Sequence, residues 1–355
     1  MIRLAPALLL AAAAHATAPQ ATVSKVMSRV DALAAKEPGH DARFIDGLDK
    51  KAEALFAEIK PLGWRAAAPL GDAAKDLKRP EKSRLFAVTF LSKLNDPSAF
   101  PPLSAVFLDP AQGEDVRLAA AQGLIALDVP PQAARRTFCA LFAEQDPPRT
   151  VLTEGLIAAA RLGCDDSAPL TRAARAFGPR PSGADMNDAR RALTALGRSR
   201  GAAPARALLG LIVWFPSGGD ARAAAVKALG EHRDDLATSL KREAFPAIRD
   251  ALRTESGRPE SMVVLVNLMD AFGPEADEFL VPLSSHPDPE VLAVAAEALA
   301  RRRAVQALPQ LETVLAGALS DPRFAPKPGR PDPAELLSRL EAAVVSLRRD
   351  RAAAR

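Results

Sequence analysis

An all-α solenoid of stacked helix pairs is the fold that this 355-residue sequence predicts, and three observations predict it. Anchor residues recur at Leu91, Leu124, Ala159, Leu193, Leu229, Met269, Leu299 and Val344, at intervals of 33, 35, 34, 36, 40, 30 and 45 residues. A self-similar period in this range marks a repeat built from one helix pair. Three residues beyond the anchors stand Leu94, Leu127, Leu162, Leu196, Phe272 and Leu347, the i, i+3 spacing of a single helical face. Four residues before them stand Ala87, Ala120, Gly155, Ala189, Ala225 and Ala295. Side chains this small let neighbouring helices approach to the short end of ~8–10 Å. One pair cannot bury such a face alone, so neighbouring pairs must stack to cover it.

Taken in order, the chain opens with Met1-Ile2-Arg3, an apolar run over residues 4–14 and the small-x-small site Ala14-His15-Ala16. That order and spacing read as a secretory signal peptide, too short to span a membrane, which takes ~20 residues. The mature protein is expected to begin near Thr17 and to be periplasmic or secreted. Residues 22–37 and 41–60 read as amphipathic helices separated by Pro38-Gly39, the second carrying Phe44, Ile45, Leu48, Leu55, Phe56 and Ile59 at helical spacing. In residues 62–77, which include Trp64, Pro69-Leu70-Gly71 is expected to break or kink the helix. Residues 17–80 thus read as a helical cap over the first apolar face. Residues 81–348 read as the repeat array and 349–355 as a basic tail, with Arg348-Arg349-Asp350-Arg351 expected to fray in solvent.

Between the anchor-bearing helices, partner helices are expected near residues 99–108, 132–144, 168–177, 204–215, 236–253, 275–285 and 305–319. Asp96-Pro97, Asp109-Pro110, Asp146-Pro147-Pro148 and His286-Pro287-Asp288-Pro289 punctuate them, since proline suits a first helical turn and disrupts an interior one. Residues 178–183, and 321–333 with their prolines, read as linkers. The apolar run 208–215, which contains Trp214, reads as a helix buried between neighbours.

Composition narrows the function. Hydrophobic residues make up 48% and aromatic residues 5%, so alanine and leucine must fill the core. A chain of this length exceeds the usual single-core domain, but a solenoid adds units along one axis, and one elongated domain is expected. The net charge of +4 belongs to one end: residues 301–355 hold 11 Lys/Arg against 6 Asp/Glu, and residues 17–300 hold 35 against 37. Arg301, Arg302 and Arg303 fall at a helix end, where cations favour the dipole. With few aromatic residues for base stacking and a confined basic excess, nucleic-acid binding is not expected.

No catalytic constellation is legible. Beyond the leader, His40, His232 and His286 are scattered, form no metal-ligand pair and read as surface residues. None of the metalloprotease, nucleophile-elbow, phosphate-loop, dinucleotide or calcium-loop patterns occurs. No catalytic residue, cofactor site or metal ligand is therefore assigned. Cys139 and Cys164 permit one disulfide. Their expected offset of ~12–15 Å along adjacent helices exceeds the ~7 Å between Cα atoms that a bridge allows, and two small buried residues are expected.

The acid-Val/Ala-Arg pattern followed by small residues and leucine, at Asp115, Asp220 and Glu290, resembles HEAT-repeat proteins of the short-period bacterial kind across residues 80–348. The resemblance implies a right-handed α-α superhelix in which the second helix of each pair lines a concave, partner-holding side. Two mostly polar columns on that helix, related as i and i+4, then become a candidate protein-binding stripe: Lys93, Gln122, Arg161, Arg191, Lys227, Asn267 and Arg301. The function implied is an exported, non-catalytic scaffold that binds another protein, without a membrane span or cofactor. The alternative is an enzyme or lyase-like protein on the same fold, because some bacterial repeat proteins of this kind are associated with chromophore attachment. A deep pocket with convergent His, Asp or Arg groups favours the enzyme, and a smooth groove the scaffold.

Overall fold

The computed structural model describes residues 5–36, 42–141, 147–162, 166–255, 257–326 and 328–354. Among them there is no strand, and the helices form an all-α arrangement of stacked pairs, as the periodicity predicts. It forms two compact units, residues 1–162 and 163–355.

The first unit contains α1 (Ala5–Lys36), α2 (Ala42–Ile59), α3 (Ala67–Lys75), α4 (Glu81–Leu94), α5 (Phe100–Leu108), α6 (Glu114–Ala126), α7 (Pro131–Leu141) and α8 (Arg149–Leu162). α4, α6 and α8 stack side by side, while α5 and α7 pack on α6 and α8 as their pair partners. α1 packs on α3 and α4 through Val23, Val26, Met27 and Val30, all buried and spaced for one helical face. The expected break at Pro69-Leu70-Gly71 is absent. α3 runs through it because Pro69 lies in the first turn, where its missing N–H would bond to nothing. The chain turns instead at Gly63, whose φ of 55° is a left-handed conformation that glycine adopts without Cβ strain.

The second unit contains α9 (Ser167–Arg175), α10 (Gly183–Arg198), α11 (Ala202–Trp214), α12 (Asp220–Gly230), α13 (Arg233–Ala237), α14 (Lys241–Thr254), α15 (Pro259–Met269), α16 (Asp277–Leu280), α17 (Pro289–Arg301), α18 (Leu308–Gly317) and α19 (Pro333–Ala353). α10, α12, α15, α17 and α19 stack in succession, with α11, α14 and α18 against their pair partners α12, α15 and α19. Three expectations need correction. The partner helix placed at 236–253 is divided into α13 and α14. The one at 275–285 is the short α16 between 3-10 turns Pro274–Ala276 and Val281–Ser285, the second starting beside Pro282. The tail does not fray at Arg348: α19 continues past it, held by Arg348 Nε to Glu312 Oε1 at 2.7 Å.

Every anchor residue from Leu91 to Val344 is buried, and so is the small-residue column. In the run 208–215, Leu208, Leu209, Leu211, Ile212 and Phe215 are buried, whereas Val213 is 68% exposed and Trp214 half-buried beneath the Arg175 guanidinium, 5.5 Å from its ring centre. His40 and Cys164 lie outside the described residues, so the cysteine pairing expected above does too. The arginine of the repeat pattern has an internal use. Arg117 is 1% exposed and its Nε donates to the Phe107 carbonyl at 2.9 Å, tying α6 to the end of α5. Arg84, seven residues before Leu91 as Arg117 is before Leu124, is buried and donates to Gln112.

Ion pairs join successive first helices as well. Arg206 on α11 holds Glu243 on α14 with both ends of its fork, at 2.8 and 3.1 Å. That hydrogen bonding keeps the Glu243 carboxyl below the ordinary glutamate range. A lowered carboxyl favours the folded state above the unfolded-state pKa, and the favour is lost as pH falls through the folded one. The Glu243 side-chain resonance should therefore titrate below an ordinary glutamate, and Arg206→Ala should return it to that range. An unchanged midpoint in the variant would mean the pair does not persist in solution.

Candidate binding groove

The polar stripe read from the sequence is exposed throughout: Lys93, Gln122 and Arg161 in the first unit, and Arg191, Lys227, Asn267 and Arg301 in the second. Exposure on anchor-bearing helices follows from register, since these residues sit two before or two after a buried anchor. The members are not equivalent. Lys93 is paired with Glu53 of α2 at 2.5 Å, and Arg191 with Asp188 one turn earlier at 3.4 Å. Arg301 Nε lies 3.0 Å from Asp270 Oδ2, which also receives Arg233 Nη2 at 3.1 Å. Arg301 therefore belongs to a tie between α17 and the end of α15, since the Asp270 side chain is almost wholly buried.

In the second unit one stripe residue, Lys227, lines a groove of about 750 Å³ across α10, α12 and α15. α10 contributes Arg190, Thr194, Gly197 and Arg198, an i, i+4, i+8 line with Gly197 at its edge. From α12 come Asp220, Ala223, Ala224, Lys227, Ala228 and Glu231. The third wall is Arg258 with Glu260, Ser261 and Val264 from α15. The floor is shallow in side chains because the helices approach closely. A Cβ on Gly197 would lie 2.8 Å from the Ala228 carbonyl oxygen and 2.9 Å from its Cα, closer than backbone atoms permit. One on Gly230 would lie 3.0 Å from Val264.

The rim is charged and mostly unpaired. Arg258 is the exception: its Nη2 lies 2.7 Å from Asp220 Oδ1 and its Nε donates to the Gly218 carbonyl at 2.9 Å. Among the described residues, Arg190, Arg198, Lys227, Glu231 and Glu260 form no ion pair. Register explains why the sequence pointed to Arg191 where the groove uses Arg190, Thr194 and Arg198. The stripe was drawn on the axis through the anchor, whereas α10 meets the groove with the flank turned toward α12. The same i, i+4, i+8 spacing one residue earlier was the available signal.

His232 lies at the end of α12 and corrects the expectation of a surface histidine. It is 3% exposed. Its Nε2 donates to the Leu196 carbonyl at 2.8 Å and its Nδ1 lies 3.3 Å from Asp235, so it satisfies a carbonyl at the end of α10 and locks the two helices that form the floor. His286 is half-buried, its Nδ1 accepting from the Asp288 N–H at 3.1 Å. Among the described residues no three metal-ligating side chains cluster, and no helix is long and apolar enough to cross a membrane.

Residues 221–254 match the family model described as PBS lyase HEAT-like repeat. They span α12 to α14, so the match contains the helix at the centre of the groove. No curated protein matches the chain.

Proposed function

We propose that this HEAT-repeat chain is an exported, non-catalytic scaffold whose groove across α10, α12 and α15 holds a segment of another protein. Stacked HEAT-like pairs suit protein interaction, because successive second helices present one continuous face at little cost in core size. The observation that carries the reading is the groove: its floor of Gly197, Ala223, Ala224 and Ala228 lets a chain lie close, and its rim offers Arg190, Arg198, Lys227, Glu231 and Glu260, which form no ion pair among the described residues. Ligands favour such concave surfaces with a few placed polar groups. Export rests on the leader-like residues 1–16. Within the second unit Arg191, Asn267 and Arg301 are proposed as flanking contact positions, and Lys93, Gln122 and Arg161 are proposed as partner-contacting positions of the first unit taken by itself.

A photo-crosslinking residue placed at Lys227 should give a defined adduct in the extracytoplasmic fraction, and the same residue at the exposed Val213 should not. The purified exported chain should begin near Thr17. Equal adducts from both positions, or none from Lys227, would refute the groove as the partner site. A chain retained in the cytoplasm with Met1 intact would refute export.

A further inference from the structure

We propose that the α10 side of this groove receives an acidic, extended segment of the partner, an inference that rests on the groove being the partner site. Arg190 and Arg198 project from one line of α10, two turns apart, with Lys227 facing them from α12. None of the three is neutralised by a described carboxylate, whereas Arg258 on the far wall already holds Asp220. The two unpaired acids, Glu231 and Glu260, belong to α12 and α15, so the α10 wall carries cations alone. Charge complementarity therefore calls for carboxylates on that side of the occupant. Arginine is suited to the task, since its fork accepts a carboxylate with two parallel hydrogen bonds.

The floor of small residues, Gly197, Ala223, Ala224 and Ala228, suits an extended chain, whose backbone can approach it closely. A strand-like segment can run along the Gly/Ala floor and bring its acidic side chains to the α10 wall. Binding is expected to weaken as salt is raised, because the cations are exposed.

The test measures fluorescence anisotropy of two ten-residue fluorescein-labelled peptides against the full chain, one alternating aspartate with glycine and serine, the other lysine in the same places. The acidic peptide should bind at least about tenfold more tightly than the lysine peptide. Combined Arg190→Glu, Arg198→Glu and Lys227→Glu should weaken it at least about tenfold, as several exposed pairs together can. A charge-matched control, Arg242→Glu, Arg349→Glu and Arg351→Glu, should cost less than about threefold. Circular dichroism melts check that both variants stay folded. No binding of the acidic peptide, stronger binding of the lysine peptide, or equal losses in the two variants would overturn the proposal. The crosslinking experiment separates this inference from the scaffold reading: an adduct at Lys227 that maps to a neutral or basic segment rejects the acidic occupant alone. No adduct at all rejects both.

Discussion

Replacing Leu124 by aspartate should unfold the helix stack of the first unit. Leu124 is 2% exposed at the centre of α6, which is packed between α4 and α8 and covered by α5. Losing the side chain's burial costs about 1.5–3 kcal/mol, and a cavity adds to that, so that Leu→Ala changes alone reach about 2–5 kcal/mol. Aspartate further places a carboxylate in this buried, apolar position, at several kcal/mol more. The sum is comparable to the whole stability of an ordinary domain, about 5–15 kcal/mol. Because repeats are stable only through their interfaces, the loss should spread to the neighbours of α6. Thermal melting followed by circular dichroism should show a large loss of helix at room temperature, while Val213→Asp, on an exposed position, should stay within about 0.5 kcal/mol of the parent. A Leu124→Asp protein that melts like the parent would remove the basis of the fold assignment.

Glu255→Ala should be nearly as damaging, for an electrostatic reason. Glu255 is 1% exposed and its Oε2 lies 2.9 Å from Nε of the buried Arg222. The two are within ion-pair distance, yet Arg222 Nε and both Glu255 oxygens lack a well-directed hydrogen bond; the directed contact of Arg222 is Nη2 to Thr254 Oγ1 at 2.7 Å. Coulomb attraction in a low-dielectric site therefore holds the pair, and it crosses from α12 to the end of α14. Removing one partner strands a buried guanidinium, at about 3–5 kcal/mol. Replacing both by apolar residues of similar volume, Arg222→Met with Glu255→Leu, should recover most of the loss, because two desolvation penalties disappear together. Urea unfolding of the two single variants and the double variant measures this. Additive losses would show that the charges do not interact.

The helical class, the stacking face and the exposed stripe were legible because they depend on spacing. Leu193 and Leu229 are buried, and Gly155 sits among close neighbours, its added Cβ falling 2.4 Å from Leu141, for the same reason that they recur: a period-3.6 rod has one inward side. Proline marks a helix start as expected at Pro97 and Pro289. Pro69 is different, because a helix that begins at Ala67 instead of Leu62 changes a breaker into a favoured first-turn residue. His232 was misread for a different reason. Nothing near it in sequence announces the Leu196 carbonyl, thirty-six residues earlier, that draws it inside.

Of the groove, the sequence supplied Lys227, and the family resemblance implied that second helices face the partner; neither indicated the α10 wall. Arg190 and Arg191 are adjacent in sequence, and only one lines the groove. Periodicity alone determined that this chain is made of helices, which side of each is apolar, and that small residues mark where they touch. Which flank of α10 turns toward α12, which arginines are consumed by Phe107, Thr254 or Asp270, and which are left unpaired were decided by tertiary packing. The physical reason is that burial follows the rotation of a helix about its own axis, which spacing records. Charge pairing instead depends on distances between helices, and these are set by side-chain volumes at contacts remote in sequence, such as Gly197 against Ala228.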